Sequence, residues 1–402
     1  MFNLNQFINQ YVTKRQSSMF KRDIEENKDV LANKIKGKSV LVIGGAGSIG
    51  SSFIKAILPF KPETLVVVDT NENALAELTR DIRSTKGMYV PSDYIPYPMD
   101  FASPVFEKMF RSRAGFDIVG NFSAHKHVRS EKDIYSVEAL LQNNVLHAKL
   151  LLDLLSEYPP EEYFCVSTDK AANPVNIMGA SKRIMEDVIF SYSDKFPVKT
   201  ARFANVAFSN GSLPAGFLER IQKLQPLSAP SDVRRYFVSP EESGQICLLS
   251  CILGENRAIF FPKLDEAQMM TFDAIGTELL KSYGYEVLEC SSDEEAIEKA
   301  EDLKNGSNLY PVYYAVSDTS GEKPFEEFVT DTETADYERF SSLGVITGKE
   351  IPDKSRIESL FIELNSVFDR ETTTKEEVVR IMKDYLPNFE HIETGKSLDS
   401  KM

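Results

Sequence analysis

The sequence has little of several features that mark particular classes of protein. Its 402 residues include four histidines, no tryptophan and only four cysteines, Cys165, Cys247, Cys251 and Cys290. Because these cysteines form no C-x-x-C pair and no Cys/His ligand spacing, we expect free thiols in a reducing compartment and no metal site. Positive charge is also scarce. The 46 Lys and Arg against 61 Asp and Glu give a net charge of −15, which argues against a nucleic-acid partner.

Long apolar runs are missing too. No stretch approaches the ~20 consecutive apolar residues of a membrane-spanning helix, and the N-terminus lacks the apolar core of a signal peptide. We therefore predict a cytoplasmic protein with no membrane span. With 42% hydrophobic residues, the chain nevertheless has enough apolar surface for a large core, so it is not a disordered acidic protein.

Short apolar segments alternate with helical patterns over the first half of the chain. Strands are predicted near residues 39–43, 64–69, 94–98, 116–123, 163–167 and 198–203, and helices near 72–84, 104–111, 136–157 and 178–194. This alternation is typical of βαβ units. It predicts an α/β fold built on a Rossmann-type, doubly wound parallel sheet.

Four regions follow from these patterns. We predict an N-terminal helical extension (1–36), a Rossmann domain (37–205), a smaller C-terminal substrate-binding part broken by proline and glycine (206–350), and a helical tail (351–402). The extension is expected to pack on the body or on a neighbouring subunit. A membrane-surface helix is the alternative, but an acidic run soon follows the basic residues and weighs against it.

A glycine-rich turn, Gly45-Ala46-Gly47-Ser48-Ile49-Gly50, follows the first predicted strand and leads into a helix. In a dinucleotide-binding fold such glycines allow a tight turn, close approach of the backbone to a pyrophosphate, and packing of the helix on the strand. Asp69 ends the second strand about twenty residues later, where an acid binds the adenosine ribose and repels a 2′-phosphate. This predicts NAD rather than NADP. Asp100, after the third strand, would face the adenine, with a surface cap as the alternative.

The end of the fifth predicted strand carries Ser167-Thr168-Asp169-Lys170, at the edge where such sheets bind ligands. Eight residues after Lys170, Met178-x-x-x-Lys182 opens a helix. Together these residues resemble the extended short-chain dehydrogenase/reductase superfamily, in which a strand-end Ser/Thr and a Tyr-x-x-x-Lys helix act on a sugar hydroxyl beside the nicotinamide. Here Met178 holds the tyrosine position. Its thioether carries no proton, so the usual base is missing.

Seven motifs narrow the resemblance. They are Ser123-Ala124-His125-Lys126-His127-Val128, Ser167-Thr168-Asp169-Lys170-Ala171, Asn173-Pro174, Met178-Gly179-Ala180-Ser181-Lys182, Arg202-Phe203-Ala204-Asn205-Val206, Arg235-Tyr236-Phe237 and Gly321-Glu322-Lys323. In this order, over about residues 37–330, they resemble the polysaccharide-biosynthesis nucleotide-sugar 4,6-dehydratases, which act on UDP-N-acetylglucosamine. The methionine form is similar to the branch that retains the configuration at C5.

The resemblance implies a role for each candidate residue. The catalytic set is Thr168, Asp169, Lys170 and Lys182. Lys170 would be the base for the C5 proton and Asp169 the acid for the departing hydroxyl. The residues implied to bind NAD are the Gly45–Gly50 turn, Asp69, Asp100, Ser123, Ala124 and Lys182. Those implied to bind the nucleotide sugar are Lys126, His127, Asn205, Ser212, Arg235 and Glu322. Among these, the Arg235 guanidinium is the best candidate to clamp the diphosphate.

The sequence thus predicts NAD-dependent 4,6-dehydration of a nucleotide-activated N-acetylhexosamine for surface glycan biosynthesis. UDP-N-acetylglucosamine is the first candidate, and the choice between a uridine and a guanosine nucleotide stays open. The superfamily resemblance also implies a homo-oligomer. Two other functions remain open, a nucleotide-sugar 4-epimerase and a catalytically inactive NAD-binding regulator. The Asp169–Lys170 pair has no clear role in an epimerase, and the intact strand-end run weighs against an inactive protein. The structural alternatives are a surface ion pair for Asp169–Lys170 and a helix-surface side chain for Lys182.

Overall fold

The computed structural model describes residues 2–127, 131–317, 323, 325 and 327–392. Its strands are β1 (Ser39–Ile43), β2 (Thr64–Asp69), β3 (Asp93–Pro98), β4 (Ile118–Asn121), β5 (Glu162–Val166), β6 (Val198–Ala201), β7 (Asn205–Val206), β8 (Leu227–Pro230), β9 (Arg234–Arg235), β10 (Phe237–Val238), β11 (Ile259–Pro262), β12 (Met270–Thr271), β13 (Glu286–Glu289), β14 (Leu309–Ala315), β15 (Ala335–Asp336) and β16 (Leu343–Ile346). Its α-helices are α1 (Leu4–Phe7), α2 (Lys21–Glu26), α3 (Lys28–Ile35), α4 (Ser48–Ile57), α5 (Glu72–Ser84), α6 (Pro104–Ser112), α7 (Ile134–Leu141), α8 (His147–Glu157), α9 (Ile177–Phe190), α10 (Leu213–Lys223), α11 (Pro240–Leu253), α12 (Phe272–Ser282), α13 (Asp293–Lys299), α14 (Glu301–Lys304), α15 (Lys354–Phe368) and α16 (Lys375–Tyr385).

The main sheet has the strand order β15-β16-β11-β6-β5-β4-β1-β2-β3. The seven strands from β11 to β3 run parallel, and β16 and β15 add two antiparallel pairings at one edge. The order reverses between β1 and β4, which is the switch point where open α/β sheets bind ligands. The predicted α/β fold with a Rossmann-type parallel sheet is therefore confirmed.

The sheet is buried on both faces, as the apolar strands predict. Successive side chains of a strand point to opposite faces. Leu41 and Ile43 of β1 accordingly belong to one core cluster, and Val40 and Val42 belong to the other. Two apolar layers thus hold the carboxyl ends of the central strands in fixed positions.

Residues 206–350 contribute strands to each of the four sheets in the described part of the chain. Strands β11 and β16 extend the main sheet, whereas β13, β14 and β8 form a separate parallel sheet with its own core, which includes Phe217 and Tyr310. Strands of the main sheet therefore lie on both sides of residue 205. Strands β11 and β16 of the main sheet come from a segment in which the sequence shows no regular alternation of apolar runs and helical patterns.

The N-terminal extension and the described part of the C-terminal tail pack onto the body. Phe7 and Ile8 join the small core, and Phe20 joins the main one, so these apolar side chains of the extension are buried rather than free for a membrane surface. Tail residues such as Leu360 and Met382 join the core that includes α8 and α9. Among the described helices, none combines the length and the apolar character that a bilayer span requires.

Candidate active site

The glycine turn joins β1 to α4 at the switch point. A Cβ on Gly45 would lie 2.4 Å from Val67 Cγ1, and one on Gly50 would lie 2.3 Å from the oxygen of Gly44. Side chains at these two positions would collide with the sheet or with the turn itself. A Cβ on Gly47 would meet nothing closer than 3.4 Å. Gly45 and Gly50 therefore allow close packing, and Gly47 leaves open space above the turn.

The N-terminus of α4 faces this open space. Gly47 is its N-cap, and no side chain of the described residues caps the first turn. Backbone N–H groups from Ser48 onward are therefore directed at the position of a bound anion. Asp69 lies beside the turn, because its Oδ2 accepts a hydrogen bond from the backbone N–H of Ala46 at 3.0 Å. The arrangement can hold a pyrophosphate on the helix and a ribose hydroxyl on the carboxylate.

The other residues predicted to bind the cofactor follow β3 and β4. Asp100 is exposed, and its Oδ1 accepts the N–H of Ala102 at 2.9 Å, the geometry of the local cap considered as its alternative. Ser123 Oγ donates to Asn143 Oδ1 at 3.2 Å, and Ala124 follows it, partly buried. The contacts of Asp100, Ser123 and Ala124 with a cofactor remain predictions.

Asn144 is a site residue that the sequence did not indicate. Its side chain, 2% exposed, accepts the N–H of His125 at 2.9 Å, donates to the oxygen of His125 at 2.9 Å, and donates to Ser181 Oγ at 3.1 Å. It thereby joins the segment after β4 to α9. A polar residue at a helical core position after the long apolar run of α7 is the signal that could have identified it.

The catalytic candidates lie together where β5 ends. Lys170 Nζ is 3.1 Å from Asp169 Oδ1, and Thr168 Oγ1 donates to the same oxygen at 2.9 Å. The backbone N–H of Asp169 donates to the oxygen of Phe203, which connects the run to the end of β6. Asp169 is only 4% exposed, so this is not a surface ion pair.

The start of α9 is packed against this run. A Cβ on Gly179 would lie 2.5 Å from the oxygen of Lys170, so only a glycine allows the contact. Met178 is 2% exposed. Lys182 is also buried rather than on the helix surface. Its Nζ donates to the oxygen of Val166 at 3.1 Å, and burial lowers its pKa.

A buried ionic network supports the strand end from behind. Ser167 Oγ donates to Glu186 Oε1 at 2.7 Å, and Glu186 forms a two-point ion pair with Arg202. Arg202 also pairs with Glu333 at 2.6 and 2.9 Å, and all three ionic side chains are at most 2% exposed. Arg202 belongs to one of the sequence motifs, but the motif does not indicate its ionic partners.

The residues predicted to bind the sugar nucleotide lie on neighbouring loops and short strands. Asn205 is in β7, and its buried Nδ2 has no hydrogen-bond partner within the described residues. Ser212 caps α10, with its Oγ accepting the N–H of Ala215. Arg235 is 4% exposed, and its Nη1 donates to the oxygen of Lys323 at 2.9 Å.

A turn around Asn210 connects the two halves of the site. Its N–H donates to Ser48 Oγ at 2.8 Å, and its oxygen accepts from Lys126 Nζ at 3.0 Å. A Cβ on Gly211 would lie 2.9 Å from His127 Nε2, which places His127 at the same turn. Glu322 lies outside the described residues. No group of three His, Cys, Asp or Glu side chains arranged to hold a metal occurs in the part of the chain that the structure describes.

This fold is that of an α/β protein built on a Rossmann-type parallel sheet. The family model for polysaccharide biosynthesis proteins matches residues 40–347, and the chain belongs to this family. An uncharacterized membrane protein of Methanocaldococcus jannaschii is 27% identical over 88% of this chain and 98% of its own length. An inverting UDP-N-acetylglucosamine 4,6-dehydratase of Campylobacter jejuni is 26% identical over 57% of this chain and 67% of its own.

Among solved structures, Pen from Bacillus thuringiensis superimposes with a TM-score of 0.63 at 18% identity, over 82% of this chain and 98% of its own. Other curated relatives include UDP-glucose 4-epimerases, so the chain has relatives among both nucleotide-sugar dehydratases and epimerases. The chain spans only 42% and 40% of two longer polysaccharide biosynthesis proteins, from Bacillus subtilis and Staphylococcus aureus.

Proposed function

We propose that this chain catalyses NAD-dependent 4,6-dehydration of UDP-N-acetylglucosamine, with retention at C5, for surface glycan biosynthesis. One observation carries the proposal: a hydrogen-bonded Asp169–Lys170 pair stands beside a helix whose expected tyrosine is Met178. Loss of water from C5 and C6 needs a base and an acid. Hydride transfer at C4 alone, as in an epimerase, gives this pair no evident use.

The residues around the glycine turn fit a dinucleotide. The open space above Gly47 and the uncapped start of α4 suit a pyrophosphate, and Asp69 suits an unphosphorylated adenosine ribose. Lys182, whose Nζ donates to the oxygen of Val166 at 3.1 Å, would hold the nicotinamide ribose. The chemistry that bound NAD would supply there is acceptance of the hydride from C4 and its donation to C6.

The Asp169–Lys170 pair can supply both proton-transfer groups without a change in net charge. Moving one proton along the 3.1 Å hydrogen bond converts an ammonium and a carboxylate into an amine and a carboxylic acid. The amine of Lys170 then takes the C5 proton, and the acid of Asp169 protonates the departing C6 hydroxyl. Thr168, which donates to Asp169 Oδ1 in the resting site, holds that carboxyl in place.

The sugar nucleotide must stay bound while its C4 is oxidised. Two groups suit its diphosphate: the buried guanidinium of Arg235, and the buried Nδ2 of Asn205, which has no hydrogen-bond partner among the residues that the structure describes. A donor without a partner in the interior is costly unless a ligand accepts its hydrogen bond. This supports a role for Asn205 in substrate binding.

The test is incubation of the purified protein with UDP-N-acetylglucosamine and NAD, followed by mass spectrometry. A product lighter by one water is expected. Asp169→Asn and Lys170→Ala should each abolish its formation while NAD still binds. Met178→Ala is the matched control and should be much milder, because the thioether has no proton to transfer. A product of unchanged mass with inverted C4 would indicate an epimerase, and no product together with bound NAD would indicate a regulator.

A further inference from the structure

The C-terminal tail reaches the start of α9, the helix that carries Met178 and Lys182. The backbone N–H of Ile392 donates to the oxygen of Val175 at 3.0 Å, two residues before the helix begins. Lys375, the first residue of α16, donates from Nζ to the backbone oxygen of Glu131 at 2.8 Å. Two separate points of the tail therefore contact the backbone next to the candidate active site.

Glu131 occupies the N-terminus of α9. Its carboxylate, in a residue only 8% exposed, accepts the N–H groups of Ile177 at 3.0 Å and Met178 at 2.8 Å. The first turn of a helix leaves N–H groups without intrahelical acceptors, and a negative charge there is favoured by the helix dipole. Glu131, together with the N-cap Asn176, whose Oδ1 accepts the N–H of Gly179 at 2.7 Å, therefore holds the backbone of this first turn.

A shift at this end of α9 would reach the reacting groups directly. Gly179 packs on the backbone oxygen of Lys170 with no room for a side chain, and Lys182 lies one turn further along the same helix. The apolar contacts of the tail, such as those of Leu360 and Met382, are made in the core instead. The polar contacts of Lys375 and Ile392 are therefore separate from the apolar contacts that pack the tail on the core.

We propose that Glu131, Lys375 and Ile392 are positioning residues for the reaction. Lys375 holds the backbone of Glu131, the backbone of Ile392 holds Val175, and the Glu131 carboxylate fixes the first turn of α9. The proposal rests on the proposed function for its catalytic consequence. Its structural part, that these contacts order the start of α9, stands independently of which sugar is the substrate.

The experiment compares full-length variants by amide hydrogen exchange and by steady-state kinetics. Glu131→Gln removes the carboxylate charge, Lys375→Met removes the ammonium at similar length, and Ile392→Pro removes one N–H donor. Lys375→Arg retains a donor, Ile392→Ala retains the N–H, and Lys383→Met alters an exposed lysine of the same helix. Exchange is followed in peptides covering residues 175–182, with those of the glycine turn as reference.

Glu131→Gln and Lys375→Met should each speed amide exchange at residues 177–182 and lower kcat about tenfold, with KM for the sugar within about twofold. Ile392→Pro should act in the same direction. Lys375→Arg, Ile392→Ala and Lys383→Met should resemble the unmodified chain. Unchanged exchange in both Glu131→Gln and Lys375→Met would overturn the proposal.

Two further outcomes also count against it. Equal effects of the two lysine-to-methionine changes would mean general loosening of the tail, and faster exchange without any fall in kcat would refute the positioning role. If the unmodified chain does not dehydrate UDP-N-acetylglucosamine, the proposed function fails instead. Amide exchange then still decides whether these contacts order α9.

Discussion

Glu333→Gln tests the buried network behind the catalytic strand. The Glu333 carboxylate bonds both terminal nitrogens of Arg202, pairs with Lys349 at 2.5 Å, and accepts the N–H of Thr330 at 3.0 Å. Burial alone would raise the pKa of Glu333, but the hydrogen bonds and charge of Arg202 outweigh it and lower the pKa to about 2. The charged form therefore contributes to stability.

The size of that contribution follows from the pKa shift. A fall from the ordinary 4.5 to about 2, at ~1.4 kcal/mol per pH unit, corresponds to about 3 kcal/mol at neutral pH. Because the folded-state pKa is depressed, this stabilisation is present above the unfolded pKa of 4.5 and is lost as the pH falls toward 2. On these values about 0.8 kcal/mol should already be lost between pH 7 and pH 4.

Equilibrium urea unfolding, followed by circular dichroism at pH 7 and pH 4, measures the contribution of Glu333 to the free energy of unfolding and its dependence on pH. Glu333→Gln should reduce the free energy of unfolding by about 3 kcal/mol at pH 7, and by about 0.8 kcal/mol less at pH 4. Glu338→Gln, at an exposed position nearby, should change it by less than about 0.5 kcal/mol. The reasoning would be refuted if Glu333→Gln lowered the free energy of unfolding no more than Glu338→Gln does. It would also be refuted if the decrease caused by Glu333→Gln became larger as the pH falls.

Three predictions concern the cofactor. Gly50→Ala should abolish NAD binding and lower Tm, because the added methyl group would lie 2.3 Å from a backbone oxygen. Gly47→Ala should instead fold normally and bind NAD about tenfold more weakly. Calorimetry would check both, and equal effects would contradict the assignment. Asp69 should make the chain bind NAD more tightly than NADP, and the reverse order in a titration would show that Asp69 does not select the cofactor. Lys182→Met should weaken NAD binding about tenfold, measured by fluorescence titration, and unchanged affinity would remove Lys182 from the cofactor site.

Local signals were enough to predict the elements that form the site. Short apolar runs, glycines and helix starts lie within a few residues of one another in the strand–turn–helix around Gly47 and near the strand that ends at Thr168. The sequence therefore predicts both of these segments. The alternating pattern also predicted a parallel sheet, and parallel strands bring their carboxyl ends to one edge. Asp69, Asp169 and Lys182 lie at that edge because of the sheet topology.

What the sequence could not show depends on contacts between distant segments. Arg202 and Glu333 are separated by 131 positions, and nothing near either one indicates the pairing. Strands β11 and β16 join the main sheet from a region of irregular pattern, because sheet order is decided by packing rather than by local preference. Glu131 is likewise an ordinary acidic residue in the sequence, and it becomes informative only when α9 begins beside it.

The central claim is that hydride taken from C4 of the sugar returns to C6 of the same molecule. UDP-N-acetylglucosamine carrying deuterium at C4, incubated with the protein and catalytic NAD, tests it most directly. The account predicts a product that has lost water and carries the deuterium at C6, with no accumulation of NADH. Deuterium found again at C4, or NADH released in an amount equal to the substrate consumed, would contradict it.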